Sequence, residues 1–166
     1  MLTKNQQPSE IRRFRNSAKA IIIDSGRLLV TRNQDEEGDW FLLPGGGQLP
    51  GETLPEALQR ECLEEVNAEI EVGSLLFVRE YLGKNHEFAR NDSDLHQIEL
   101  MFRCRLLSRP QPGMGSEPDE WQTGIAWLPL DNLGPYRLYP SQLKRLIPLL
   151  DENGTSNGPV YIGDVN

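Results

Sequence analysis

The stretch from Gly46 to Ala68, GGQLPGETLPEALQRECLEEVNA, constrains this chain more than any other. Leu54 to Val66 reads as a helix. Pro55 falls in its first turn, where a missing N–H costs little. Leu58, Cys62 and Val66 recur at i, i+4 and i+8 as an apolar stripe for the core. At about 100° per residue, Glu61, Glu64 and Glu65 point into one sector of roughly 100° beside that stripe. Like charges so placed cost a helix a few tenths of a kcal/mol per pair, so they call for open solvent or a cation. A hard divalent ion with oxygen ligands, Mg²⁺ above all with Mn²⁺ as a substitute, supplies such compensation. A glutamate-rich helix face is more often simply solvated, so the triplet alone assigns no site. The wider spacing says more. Gly46, Glu52, Arg60, Glu61, Glu64 and Glu65 stand as G-x5-E-x7-R-E-x-x-E-E, which this composition produces by chance on the order of once in ten thousand.

Around this segment the chain reads as alternating strands and loops. Ala18 to Ile23 and Arg27 to Thr31 flank the turn Asp24-Ser25-Gly26 and predict a hairpin, with Arg32 at its end. Trp40 to Leu43 predicts a short strand running into Pro44-Gly45-Gly46-Gly47, where glycine lets backbone approach a ligand closely. Leu75 to Leu82 reads as a buried strand and Gly83 to Asp94 as a polar, mobile loop. His86 in that loop reads as solvated. From Leu95 to Leu107 the alternation assigns one strand face to Ile98, Leu100, Phe102 and Cys104 and the other to Gln97, Glu99 and Arg103, with Glu99 either lining the site or, the safer reading, an exposed carboxylate. The Pro/Gly-rich loop Ser108 to Asp119 leads to Glu120 and a strand from Thr123 to Leu128. Ser141 to Leu150 predicts a last helix.

A chain of 166 residues is of single-domain size, so residues 1–166 are expected to form one domain, with 1–16 as an N-terminal arm and 151–166 as a flexible tail carrying an edge strand at Val160 to Ile162. No run of about 18 apolar residues is present to span a membrane. The N-terminus lacks the apolar core of a secretory signal, and two cysteines make no disulfide framework, which points to the cytoplasm. A net charge of -8 argues against duplex nucleic acid as a partner. A small phosphorylated ligand stays compatible, because a metal can bridge acidic side chains and phosphate oxygens. Whether the chain forms a homodimer is left open.

The segment resembles the Nudix box, G-x5-E-x7-R-E-U-x-E-E-x-G-U with U a bulky apolar residue. Cys62 stands at the first U, Asn67 replaces the second glycine, and Ala68 is a small final U. Asn is the next-best residue for positive φ beyond a helix end. The resemblance implies an α/β/α sandwich with a mixed sheet and hydrolysis of a diphosphate linkage in a nucleotide, of the nucleoside triphosphate or nucleotide sugar type. It implies binding of one to three metal ions by Glu61, Glu64, Glu65 and the Gly46 carbonyl, and a general base at Glu64 or at a late acid, Glu120 before Glu117. Arg60 would orient a box carboxylate such as Glu52 or Glu64, and Arg32 and Glu52 would face substrate. Motifs typical of ADP-ribose, dinucleoside polyphosphate and coenzyme A hydrolases are missing. A non-catalytic nucleotide-sensing module on the same fold is the alternative, and its mark would be loss of box carboxylates. A prenyl diphosphate isomerase would need a catalytic cysteine, for which neither Cys62 nor Cys104 is placed.

Overall fold

The computed structural model describes residues 13–107, 111–151 and 154–166. Most of the expected N-terminal arm, Arg12 included, lies outside the described residues. Its last residues, from Arg13 on, already belong to strand β1, Arg13–Asp24. The hairpin continues into β2, Arg27–Asp35, and β3 follows at Gly38–Leu42. Helix α1 spans Leu54–Val66, followed by β4, Ile70–Leu82; α2, Ala89–Asp92; β5, Leu95–Leu106; β6, Gln122–Pro129; and β7, Leu138–Tyr139. Helix α3, Leu143–Leu146, passes into a 3₁₀ turn at Ile147–Leu149, and β8 is Tyr161–Asp164.

The mixed sheet is curled. The β1–β2 hairpin pairs at Ile23 with Leu28 and Asp24 with Arg27. On one side β1 pairs with β5 in parallel, β5 with β4 antiparallel, and β4 with β8 in parallel. On the other, β2 pairs with both β3 and β6, and β3 with β7. Residues 44–48 run along the free edge of β1, with the Ala18 and Ala20 amides donating to the Gly46 and Pro44 carbonyls at 3.0 and 2.8 Å. The glycine loop is thus stitched to the sheet immediately ahead of α1.

Two apolar layers sandwich the sheet. Leu58, Cys62 and Val66 of α1 pack with Ala18, Ala20, Ile22 and Leu29, all buried, so the predicted stripe is core. On the opposite face Ile21, Leu28, Phe77 and Met101 meet Leu138, Leu143 and Ile147. That second helical layer is shorter than the expected Ser141 to Leu150 helix, because Pro148 cannot donate to the ladder and the chain tightens into the 3₁₀ turn. The expected polar loop at 83–94 holds a 3₁₀ turn, Gly83–Asn85, and α2. The tail is tied down in part: β8 lies beside β4 and overlaps the predicted edge strand at Tyr161 and Ile162. Among the described residues no helix is long and apolar enough to cross a membrane.

Candidate active site

Thr53 caps α1 with a reciprocal box. The Glu56 amide donates to Thr53 Oγ1 at 3.4 Å, and the Thr53 amide donates to the Glu56 carboxylate at 2.7 Å. At the other end Asn67 takes the left-handed conformation, φ 50° and ψ 41°, as its place in the sequence predicts. The helix is therefore fixed at both ends before any tertiary contact is counted.

Arg60 is the hub of the carboxylates. Its Nε and Nη2 donate to Glu52 at 2.6 and 3.0 Å, and Nη1 donates to Glu61 Oε1 at 2.8 Å and Glu64 Oε2 at 2.9 Å. Nη2 also reaches the Gly47 carbonyl at 3.1 Å. This fork holds the Glu52 carboxylate down to about 2, chiefly through the Arg60 hydrogen bond. Glu52, expected to face substrate, anchors the arginine and also accepts from the Leu49 amide at 3.0 Å.

Glu65 is handled differently. It is 3% exposed and accepts from the Gly45 amide at 2.8 Å. Burial pushes its carboxyl up to about 8, with Lys19 and the Gly45 amide opposing and Asp119 and Glu61 adding to the rise. The Gly46 carbonyl, itself the expected metal ligand, is instead turned to the Ala18 amide in the β1 edge pairing. The oxygen next to it does attract a cation: the Gly45 carbonyl accepts from the Lys19 ammonium. Gly46 matters for a second reason, since a Cβ there would fall 2.6 Å from the Glu61 carboxyl group.

The donor set fits a hard divalent ion, being all oxygen: Glu61, Glu64, Glu65 and the Gly45 carbonyl. As they stand, no three acidic, histidine or cysteine side chains among the described residues converge on one point. Arg60 Nη1 gathers Glu61 and Glu64, whereas Glu65 is turned to the Gly45 amide.

The loop before β6 closes over the end of α1. Amides of Gly113, Gly115 and Glu117 donate to the Val66, Glu65 and Glu64 carbonyls at 2.9, 3.1 and 3.0 Å. Gln122, 7% exposed, donates from Nε2 to the Glu65 carbonyl at 2.8 Å, and its Oε1 accepts from the Asp119 amide at 3.4 Å. The acid of this loop whose charge reaches Glu65 is Asp119. Glu120 and Glu117, the expected candidates, are exposed, as is Asp119 itself. Arg32 stands apart: its guanidinium lies over Gly124 and 4.0 Å from Asp39, with no contact to the helix carboxylates among the described residues. Sequence reasoning missed Lys19, Gln122 and Asp119. A lone lysine in the apolar run AKAIIID was the one signal for the first.

Glu99 corrects an expectation outright. It is 5% exposed and pairs with Arg79, and Gln97 donates to it at 2.6 Å. Burial opposes its charge, but Arg79, Lys19 and Gln97 outweigh it and hold the carboxyl below its ordinary range. His86, expected in solvent, meets the Asp164 carboxylate.

The chain is an α/β/α sandwich whose acidic helix, clamped by one arginine, abuts a glycine loop and a half-buried ammonium. The chain belongs to the Nudix family: the NUDIX domain model matches residues 13–150. Human 8-oxo-dGDP phosphatase NUDT18 is 32% identical over 129 residues, covering 76% of this chain and 34% of that protein. This chain thus spans about a third of that relative's length. Nucleoside triphosphatase NudI of Escherichia coli O1:K1 is 27% identical over 132 residues, covering 76% of this chain and 89% of NudI. The fold matches a MutT Nudix hydrolase structure from Burkholderia pseudomallei at TM-score 0.62 and 24% identity, over 80% of this chain and 96% of that one. It matches a Nudix hydrolase from Nitrosomonas europaea at TM-score 0.63 and 19% identity, over 92% and 81% of the chains.

Proposed function

We propose that this chain hydrolyses the phosphoanhydride bond of a small nucleoside di- or triphosphate, with Mg²⁺ or Mn²⁺ as its metal. The observation that carries the reading is the Arg60 clamp, which collects Glu52, Glu61 and Glu64 while Glu65 stays buried beside the glycine loop. The names of NUDT18 and NudI, nucleoside di- and triphosphate hydrolases respectively, support that substrate class over nucleotide sugars.

Glu61, Glu64, Glu65 and the Gly45 carbonyl would hold the divalent ion, which would supply neutralisation of phosphate charge and a bound water of lowered pKa. Arg60 orients Glu64 through Oε2, which leaves Oε1 to take the proton of the attacking water. Asp119, held beside the helix by Gln122, is the second acid in reach, and Lys19 places a positive charge at the glycine loop. The two cysteines are buried and unpaired, which suits a reducing cytoplasm. The test is product release from nucleoside di- and triphosphates, ADP-ribose and nucleotide sugars, with Mg²⁺, Mn²⁺ or chelator. Metal-dependent turnover of a nucleoside di- or triphosphate is expected; turnover confined to the other classes would overturn the substrate assignment.

A further inference from the structure

An open groove of about 390 Å³ lies between the start of β1, residues 14–16, and residues 48–52 ahead of α1, within the size range of small-molecule sites. Two large apolar side chains stand bare in it. Phe14 is 62% exposed and Leu49 54%, and the Phe14 ring is held by an edge-to-face contact with His96, centroids 4.9 Å apart. Exposed apolar side chains gathered in one concavity mark a binding place. Arg15 supplies the charge. Its Nε donates to Gln97, and among the described residues no hydrogen bond or ion pair engages its two Nη groups; Nη1 lies 3.9 Å from where a Gly47 Cβ would sit. The carboxylate that lines the groove, Glu52, already accepts from Arg60 and the Leu49 amide. The groove therefore offers an uncommitted positive charge in a chain of net charge -8.

The groove also leads to the glutamates. The Gln48 amide donates to the Asn16 carbonyl at 3.2 Å, Gly47 is bridged to Ser17, and the Ala18 amide donates to the Gly46 carbonyl at 3.0 Å. The start of β1 and the glycine loop thus run side by side up to Gly46, which abuts the Glu61 carboxyl group. From Phe14 to Ala18 the strand covers about 13 Å, at about 3.3 Å per residue. That is the scale of an extended nucleoside diphosphate, with Arg15 part-way along it.

We propose that this groove is the nucleoside subsite of the hydrolase: Phe14 and Leu49 flank the base, and Arg15 holds the phosphate nearest the sugar while the distal phosphate reaches the glutamates of α1. The Arg15 guanidinium donates from its two Nη groups to phosphate oxygens, a fork that matches this anion. Contact through the faces of the base tolerates every base, so the groove reads the presence of a nucleoside and not its identity.

The assignment rests on the reading of the chain as a nucleotide hydrolase, and binding measured apart from turnover separates the two. Calorimetric titration with Mg²⁺ present uses α,β-methylene-ADP, which resists cleavage between its phosphates, and inorganic pyrophosphate, which lacks the nucleoside. Phe14→Ala is expected to weaken the nucleotide about tenfold and pyrophosphate by less than about twofold. Arg15→Ala is expected to weaken the nucleotide about tenfold. Leu49→Asp, which sets a carboxylate in the groove, is expected to do so by about tenfold or more. Phe14 and Leu49 are exposed, so the melting temperature of their variants should hold. In turnover, Phe14→Ala should raise KM about tenfold and leave kcat as it is. Unchanged nucleotide affinity in Phe14→Ala, no binding of the analogue by wild type, or an equal loss of pyrophosphate affinity would overturn the subsite. If wild type still hydrolyses a nucleotide in that event, the hydrolase reading stands alone; Phe14-dependent nucleotide binding without turnover of any nucleotide would keep the subsite and remove the hydrolase.

Discussion

Two glycines touch the acidic helix, and alanine at each should fail in opposite ways. At Gly46 the new Cβ would lie 2.6 Å from the Glu61 carboxyl group, the far end of a rotatable side chain. Carbon contacts relax near 3.5–4.0 Å, so Glu61 must swing by about 1 Å. That costs about 1 kcal/mol in rotamer strain, so the fold survives. A displacement of about 1 Å at a reacting group is worth about 100-fold in rate, so turnover should fall by that order. At Gly115 the Cβ would lie 1.9 Å from the Glu64 carbonyl oxygen, which belongs to helix backbone and cannot turn aside. The loop must lift, breaking the three hydrogen bonds that the Gly113, Gly115 and Glu117 amides donate to the end of α1. At about 1 kcal/mol each, Gly115→Ala should cost about 3 kcal/mol. Urea denaturation and metal-dependent nucleotide hydrolysis, measured on both variants, check this. Wild-type turnover in Gly46→Ala, or equal destabilisation of the two, would refute the contact reasoning.

Gln122→Ala should destabilise by about 2 kcal/mol, because it leaves the Glu65 carbonyl without its side-chain donor, and it should lower turnover by freeing Asp119 from the helix; melting and rate together test it. Thr53→Ala removes the cap of α1 and should cost about 1 kcal/mol in urea denaturation. Glu99 has a folded pKa below its ordinary 4.5, so its paired charge contributes stability above that pH and loses it as pH falls toward the folded value. Wild-type melting temperature should therefore drop below pH 4.5, and the acid limb of Glu99→Gln should be shallower.

The parts legible in the sequence are those fixed by local spacing. Helix α1 was readable from Pro55, the Leu58–Cys62–Val66 stripe and Asn67, because cap, face and terminus all lie within one short stretch. Arg60 could be assigned to Glu52 and Glu64 because helical spacing puts i and i+4 together and Glu52 leads into the same helix. Glu99 was misread for the opposite reason. Polar residues alternating along β5 look solvent-facing, and nothing local shows that Arg79, from the neighbouring strand, neutralises them under cover. Lys19, Gln122 and Asp119 reach α1 only through the folding of β1 and the β6 loop, so their roles were invisible until the strands were paired. The expected last helix broke at Pro148, a signal present in the sequence but outweighed there by the apolar spacing of Leu143, Leu146, Ile147 and Leu150.

The central claim is that the Arg60-clamped glutamates perform metal-dependent nucleotide hydrolysis, and Glu64→Gln tests it most directly. The amide keeps the size of the side chain but loses the charge that holds metal and takes a proton. Turnover of a nucleoside di- or triphosphate with Mg²⁺, compared between wild type and Glu64→Gln at matched melting temperature, should fall by about three orders of magnitude or more. Turnover within a few fold of wild type in a folded Glu64→Gln would contradict the account.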